Sequence, residues 1–259
     1  MLITSKDNDF IKHLKKLKDK KYREEYGEFI VEGIKMIQEA IDEKAIIKDI
    51  IVCDDCKNQE YFSKEFLYEI AKYNCIYVTE KVFLQITDVT NPQGILAVID
   101  KKKIDSDINY DSDLFLILDN IQDPGNMGTI LRTADSINLK QIIVAKGTAD
   151  VYNPKVVRST MGAIFRVKVI EIEDLTKVVK EMKKRKIKVY ATDLATNSSI
   201  YDVDYKKSAI IIGNEANGVS KQLLDLADQK IKIPMIGKTE SLNAAVATGI
   251  ILYEAVKTK

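Results

Sequence analysis

The sequence has no tryptophan, one histidine and three cysteines in 259 residues, and each scarcity closes a class of function. A structural zinc draws four Cys or His ligands into a tetrahedral shell. Cys53, Cys56 and Cys75 with the lone His13 make a poor set, although Cys53 and Cys56 have C-x-x-C spacing, so reduced thiols and no metal are expected. No apolar run reaches the roughly 18–20 residues that cross a bilayer. The opening MLITSKDNDF is too polar and acidic for a signal or transit peptide, so a cytoplasmic protein without membrane contact is expected. A formal net charge of +1 gives no overall electrostatic pull toward nucleic acid. What remains, 46% hydrophobic and 31% charged residues, supplies a core for each of two soluble domains.

Locally the charge is uneven. Between Phe10 and Arg23 lie Lys12, Lys15, Lys16, Lys18, Lys20, Lys21 and Arg23 against a single acid, Asp19. Phe10, Ile11, Leu14 and Leu17 have helical spacing, which predicts one helix over about Asn8 to Tyr22 with lysines on its other face. Such a face reads equally as a phosphate-binding stripe or as a solvated surface. Short strands are expected at Phe29 to Val31, Ile46 to Cys53, Ile76 to Val78 and Gly94 to Ile99, with helices from Glu32-Gly33 to Ile41 and from Glu65 to Tyr73. The charged stretch Asp100 to Asp113 then separates two periodic regions, and the domains are set at 1–107 and 108–259.

Beyond it the apolar runs Leu114 to Leu118, Ile142 to Ala145, Val167 to Ile170, Lys188 to Ala191 and Ala209 to Ile212 alternate with helical stretches. That pattern predicts an α/β domain with a mainly parallel sheet, covered on both faces, and a ligand site at the carboxyl ends of its strands. Three stretches carry polar and small residues at such ends. DNIQDPGNMGTILRTAD (Asp119 to Asp135) follows the first strand with a Pro124-Gly125 turn and a helix. A nicotinamide fold is disfavoured there, because Gly125 and Gly128 lack G-x-G-x-x-G spacing. Asn126 reads as a helix cap or a site residue, and Arg132 as a site residue or a surface ion-pair partner. IIIGNEANGV (Ile210 to Val219) empties a strand into Gly213, Asn214, Glu215 and Gly218, as a plain turn or as a backbone opened to a ligand. IKIPMIGKTESLNAAVATG (Ile231 to Gly249) leads into an apolar helix to about Val256, and capping explains one of Ser241 and Asn243.

In this order the three stretches resemble the signature motifs of the SpoU branch of the SPOUT RNA methyltransferases, from about Leu114 to the C-terminus. The segment from Asn8 to Ala40 more loosely resembles the small ribosomal-protein-like substrate-binding domain of many members. The resemblance implies 2'-O-methylation of an RNA ribose with S-adenosylmethionine, a C-terminal trefoil knot and a homodimer with the active site at the subunit interface. Carried over motif by motif, it implies a catalytic set of Asn126, Arg132, Glu215, Ser241 and Asn243. Gly213, Ile233, Met235 and Leu242 would hold the cofactor. A separate N-terminal domain favours ribosomal over transfer RNA, with Lys12, Lys15, Lys16, Lys20, Lys21 and Arg23 as RNA contacts, and with Arg158, beside Ser159, as a secondary one or a structural residue. Arginine keeps its proton up to a pKa above about 12 and makes a poor base. Arg132 is therefore expected to grip phosphate and steady charge on the 2'-oxygen. Asn126 and Asn243 would orient the sugar, Glu215 would fix the surrounding loop or Arg132, and Ser241 would order the knot loop. The competing expectation is an RNA-binding ribosome-assembly factor that transfers no methyl group.

Overall fold

Strand and helix alternate from Leu2 to Val256 in a computed structural model that describes residues 2–56, 62–101 and 107–257. Contacts group into two units, Met1–Lys103 with Tyr152–Phe165, and Ile104–Val151 with Arg166–Lys259. The division set at 107/108 abuts residues 102–106, which lie outside the described residues, and it treats as continuous a C-terminal half from which Tyr152–Phe165 departs.

The first unit is built on β1 (Leu2–Ile3), α1 (Asp9–Lys16), α2 (Lys20–Tyr26), β2 (Glu28–Glu32), α3 (Ile34–Asp42), β3 (Ile47–Cys53), α4 (Lys64–Ile70), β4 (Cys75–Val78), α5 (Glu80–Phe83) and β5 (Ile95–Asp100). Its sheet has the order β1-β4-β3-β5-β2, with β5 antiparallel to both neighbours and the other pairs parallel. Because side chains alternate along a strand, Ile50 and Val52 join a core with Phe29, Ile37 and Ile95 on one face. Ile51 and Cys53 join another with Ile11, Leu14 and Phe83. Tyr152, Val157 and Phe165 pack into the first of these cores. Cys53 is buried, and the half-buried Cys75 thiol donates to the Ile70 carbonyl at 3.3 Å.

The single helix expected over Asn8 to Tyr22 is two. Asn8 caps α1 by accepting from the Phe10 N–H, and Asp19 interrupts the run by accepting from the Lys21 N–H at the start of α2. An Asp at that place offers the backbone a cap in competition with continued helix. The break redirects Arg23. Its side chain is 2% exposed and donates through Nη1 to the carbonyls of Leu17 and Lys18 at 2.8 and 2.7 Å, satisfying groups freed where α1 ends. Arg23 is thus a brace inside the first unit, and its assignment as an RNA contact is withdrawn.

The second unit contains β6 (Leu114–Asp119), α6 (Pro124–Ser136) and β7 (Gln141–Ala145); α7 (Pro154–Thr160), next along the chain, belongs to the first unit. Then follow β8 (Lys168–Ile172), α8 (Leu175–Lys184), β9 (Lys188–Thr192), β10 (Ser208–Gly213), α9 (Lys221–Leu226), β11 (Gln229–Ile231) and α10 (Ala244–Val256). The sheet order is β11-β9-β10-β6-β7-β8, and every pair is parallel. β1 and β11, with two and three residues, are too short to show a period in the sequence. From β6 the chain steps outward through β7 to β8, then crosses to the other side, so β6 and β10 are neighbours at a switch point of the winding. Loops leaving such neighbours diverge and open a crevice at the carboxyl ends. Among the described residues no helix is long and apolar enough to cross a membrane.

Replacing Arg23 with Met keeps the volume and removes its charge-assisted hydrogen bonds, those to Leu17 and Lys18 among them. The expected loss is about 2–3 kcal/mol of folding stability, read from urea unfolding midpoints. RNA affinity of the folded fraction should be unchanged.

Candidate active site

Two loops meet at the crevice, and the residues just after β6 and β10 tie them together. The Asp119 carboxylate accepts from the Ser220 N–H at 2.7 Å, and Asn214 Nδ2 donates to the Asn120 carbonyl at 2.8 Å. Asn214 also closes its own turn, pairing with Gly218 in both directions and accepting from the N–H groups of Ala216 and Asn217. Gly213 allows this turn. A Cβ built on it would stand 2.0 Å from the Gly218 carbonyl carbon and 2.1 Å from the Val219 nitrogen, a space only hydrogen can occupy.

Glu215 rises from that turn and grips the other loop. Its carboxylate accepts from the N–H groups of Gln122 and Asp123, both at 3.2 Å, and from Asn126 Nδ2 at 2.8 Å. Burial works to raise the pKa of this carboxyl. The hydrogen bonds from Asn126 and from the backbone outweigh it and hold the group below the ordinary carboxylate range. Glu215 therefore stays ionised at neutral pH as a weak base. Of its two expected roles, it fixes the loop; Arg132 is not among its partners.

Asn126 is 8% exposed and lies in the first turn of α6, whose cap is Asp123 rather than Asn126. Its Oδ1 accepts from Asn243 Nδ2 at 2.8 Å, and Asn243 Oδ1 caps α10 by accepting from the N–H groups of Ala245 and Val246 at 2.9 and 3.3 Å. Asn243 is thus both cap and link. Ser241 is exposed and, among the described residues, makes no hydrogen bond.

A cavity of about 690 Å³ opens beside this chain at the ends of β9, β10 and β11. Gly213, Ile233, Met235 and Leu242, expected at a cofactor site, all line it, together with Glu215, Ser241 and Asn243. Thr192 to Ala195 line it as well and were missed by sequence reasoning, although they follow an expected strand at the end where ligands bind. This stretch clasps β11: the Asp193 N–H donates to the Ile231 carbonyl, and the Lys232 N–H to the Ser198 carbonyl. Arg132 stands apart from the cavity lining. It is exposed on α6 and, among the described residues, has neither ion pair nor hydrogen bond. Placing it six residues beyond Asn126 does not put both on one helix face, since one side chain is buried and the other is not.

The expected RNA contacts of the first unit are dispersed in role. Lys12 pairs with Asp9 at 3.1 Å and Lys20 with Glu24 at 3.7 Å. Lys16 and Lys21 lie over the Tyr22 ring at 5.3 and 5.4 Å, and Lys15 is half-buried on α1. Arg158 sits on α7 near Glu32, whose pKa burial raises against the opposing pull of Thr87, the Asp88 N–H and the Arg158 charge. The Ser159 hydroxyl donates within α7 to the Lys155 carbonyl. Among the described residues no group of three His, Cys, Asp or Glu side chains is placed to hold a metal ion.

Residues 113–253 match the SpoU rRNA Methylase family, and residues 8–97 match the MRM3-like substrate binding domain. A relative from Bacillus subtilis named 23S rRNA (guanosine(2553)-2'-O)-methyltransferase RlmP is 34% identical over 254 residues, 97% of each chain. A 23S rRNA (uridine(2479)-2'-O)-methyltransferase from Streptomyces viridochromogenes is 30% identical and spans 99% of this chain and 92% of its own. The solved structure of the SpoU methyltransferase AviRb from that organism, in complex with AdoMet, has a TM-score of 0.85 at 28% identity, covering 97% of this chain and 98% of that one. An AdoMet-bound rRNA methyltransferase from Sinorhizobium meliloti has a TM-score of 0.84 at 30% identity over 100% and 98% of the two chains.

Gly213→Ala should push the Gly218 backbone away and detach Glu215 from the Gln122 loop. An overpacked site of this kind loses about 1–3 kcal/mol, measurable as a lowered urea midpoint. A wild-type midpoint would show that the turn yields freely.

Proposed function

The chain belongs to the SpoU rRNA methylase family, and from that premise we propose that it transfers a methyl group from S-adenosylmethionine to a ribose 2'-hydroxyl of 23S ribosomal RNA. The observation that carries the reading is the bonded chain Glu215–Asn126–Asn243, which joins the three motif segments at the wall of the cavity.

The cavity suits the cofactor. Its volume falls in the range of roughly 300–1,000 Å³ usual for small-molecule sites. Leu194, Ile212, Ile231, Ile233 and Leu242 offer apolar walls for an adenine ring, while Glu215, with no cation partner among the described residues, and Asp193, paired with Lys230, put carboxylates on the lining that favour a positively charged ligand. When bound, S-adenosylmethionine supplies a methyl carbon attached to a positive sulfur. The trefoil knot implied by the family resemblance is part of this proposal, supported by the clasp of residues 193–200 around β11.

For a displacement at carbon, the protein's task is alignment and exclusion of alternative geometries. Arg132, exposed and without a partner among the described residues, closes its forked donors on a phosphate beside the target ribose and steadies negative charge growing on the 2'-oxygen. It keeps its own proton. Glu215 is already engaged by three donors and is also a poor base, so the hydroxyl proton passes to water. Asn243 donates to Asn126, Asn126 donates to Glu215, and the Asn243 oxygen caps α10, which fixes both amides, and each keeps one Nδ2 hydrogen for the sugar. Ser241 lies on the cavity rim, where its free hydroxyl can order the loop over a bound ligand.

We further propose a homodimer through α10. This helix is apolar nearly all round: Ile251, Leu252 and Ala255 are buried, yet Val246 and Tyr253 remain 52% and 55% exposed. A helix apolar on every side is normally covered on every side, and a second copy supplies the cover.

Incubation with labelled S-adenosylmethionine and an unmodified 23S rRNA transcript should place label in a 2'-O-methyl group; label in a base or in no nucleotide would refute the activity. Arg132→Lys should slow single-turnover methylation about 10²-fold without changing cofactor affinity, and a near-normal rate would remove the forked contact. Val246→Asp should shift the light-scattering mass from dimer to monomer. A mass that stays dimeric would place the interface elsewhere.

A further inference from the structure

At the amino ends of β9 and β10, across the sheet from the cavity, four lysines gather. Lys186 lies in the turn after α8, Lys188 opens β9, and Lys206 and Lys207 lead into β10. Lys188 is in register with Ser208, and its N–H donates to the Lys207 carbonyl at 3.1 Å, so the four lysines rise from two adjacent strand starts. All four are exposed. Of the acids nearby, two have cation partners of their own, one is bonded to backbone, and Asp113, whose carbonyl accepts from the Ser208 N–H, is exposed beside the start of β10. Glu181 pairs with Lys184 and Arg185, Asp228 with Lys183 and the Val189 N–H, and Asp204 accepts from the Lys206 backbone N–H. None of the four lysine ammonium groups has an ion pair among the described residues. A groove of about 500 Å³ runs beside them, lined in part by Lys183, Lys186, Lys188, Gln229 and Asp228, the last paired with Lys183.

We propose that this edge is a second RNA contact, where the phosphate backbone of the substrate is held at a distance from the target ribose. The proposal rests on RNA being the substrate. Like charges gathered on one edge repel each other and lower stability unless a polyanion neutralises them. The groove wall holds Ile187 and Tyr190, both buried, so it offers no exposed apolar anchor to a membrane or a protein partner. Lysines on flexible stems match phosphates along a backbone without reading bases. β9 has five residues, so roughly 13 Å of strand separates the patch from the cavity. One folded RNA spans that distance, and the patch adds affinity and orientation while sequence is read elsewhere.

The test uses the full chain carrying Lys186→Glu, Lys188→Glu, Lys206→Glu and Lys207→Glu, an unmodified 23S rRNA transcript, and salt from low to physiological. Each phosphate contact contributes about 0.7–0.9 to the slope of log affinity against log salt. The slope should become shallower by about 3, and affinity at physiological salt should fall at least tenfold. Cofactor affinity and the single-turnover rate at saturating RNA should stay near wild type, and four Lys→Arg changes should keep RNA affinity. If charge reversal also abolishes cofactor binding, the protein has misfolded and the four Lys→Gln changes are read by the same criteria. Unchanged RNA affinity and slope, with wild type still methylating the transcript, would overturn the patch alone. A wild type that neither binds nor methylates the transcript would overturn the activity and the patch together.

Discussion

The site depends on one directional chain of hydrogen bonds, and its direction is set from both ends. At one end α10 presents backbone N–H groups that have no partner inside the helix, so Asn243 must turn its carbonyl oxygen toward Ala245 and Val246. Its amide nitrogen then faces Asn126, which must answer with its oxygen. The nitrogen of Asn126 is left to face Glu215, an ionised carboxylate that can only accept. No link can be flipped without setting donor against donor or acceptor against acceptor. Partners 89 and 117 residues apart in the chain are thereby fixed to one another, although each amide keeps a hydrogen free. That is the combination a positioning site requires: rigid side chains with unspent donors.

The sheet makes such a chain possible. With β6 and β10 adjacent and parallel, their following loops leave the same edge, and the Glu215 turn reaches the Gln122 loop with no intervening element. Gly213 matters here for space, because its backbone nearly touches the returning strand of the turn. The small residues Ala244 and Ala247 play a similar part on α10, keeping the wall of the cavity thin where the helix starts.

Much of this was legible in the sequence because buried parallel strands write themselves as unbroken apolar runs. Each of the five runs in the C-terminal half proved to be a strand, and the first two motif segments fall at the ends of two of them, while the third follows β11. Gly213 and Glu215 could be placed beside the cavity for the same reason, whereas Asn243 was placed by the family resemblance. The losses have physical causes. β11 has three residues and takes its place only by pairing with β9. Asp19 breaks a helix whose apolar spacing continues across the break, so periodicity alone cannot find it. Thr192 to Ala195 have no composition that stands out, and only the sheet order brings them beside β10 and β11. The hydrogen bonds of Asn126 to two distant segments leave no periodic trace at all.

Charge shows most sharply what sequence reading lacks. Arg23 and Arg132 are the same residue type, each beside polar neighbours in a stretch singled out for RNA, yet they have opposite fates. Arg23 spends donors on carbonyls where a helix ends and is shut away from solvent. Arg132 stands in solvent, and among the described residues its fork has no partner. A buried cation must find its partners within the fold, because leaving it unsatisfied costs several kcal/mol. An exposed one carries no such obligation and keeps its donors for a visitor. The separation of structural from ligand-binding cations is therefore decided by burial and by which acids are already engaged, and neither quantity is a property of the local sequence. The same reasoning divides the lysines at the start of β9 and β10 from those of α1 and α2. Several of the latter are paired with Asp9 and Glu24 or lie against Tyr22, whereas the ammonium groups of the former have no ion pair among the described residues.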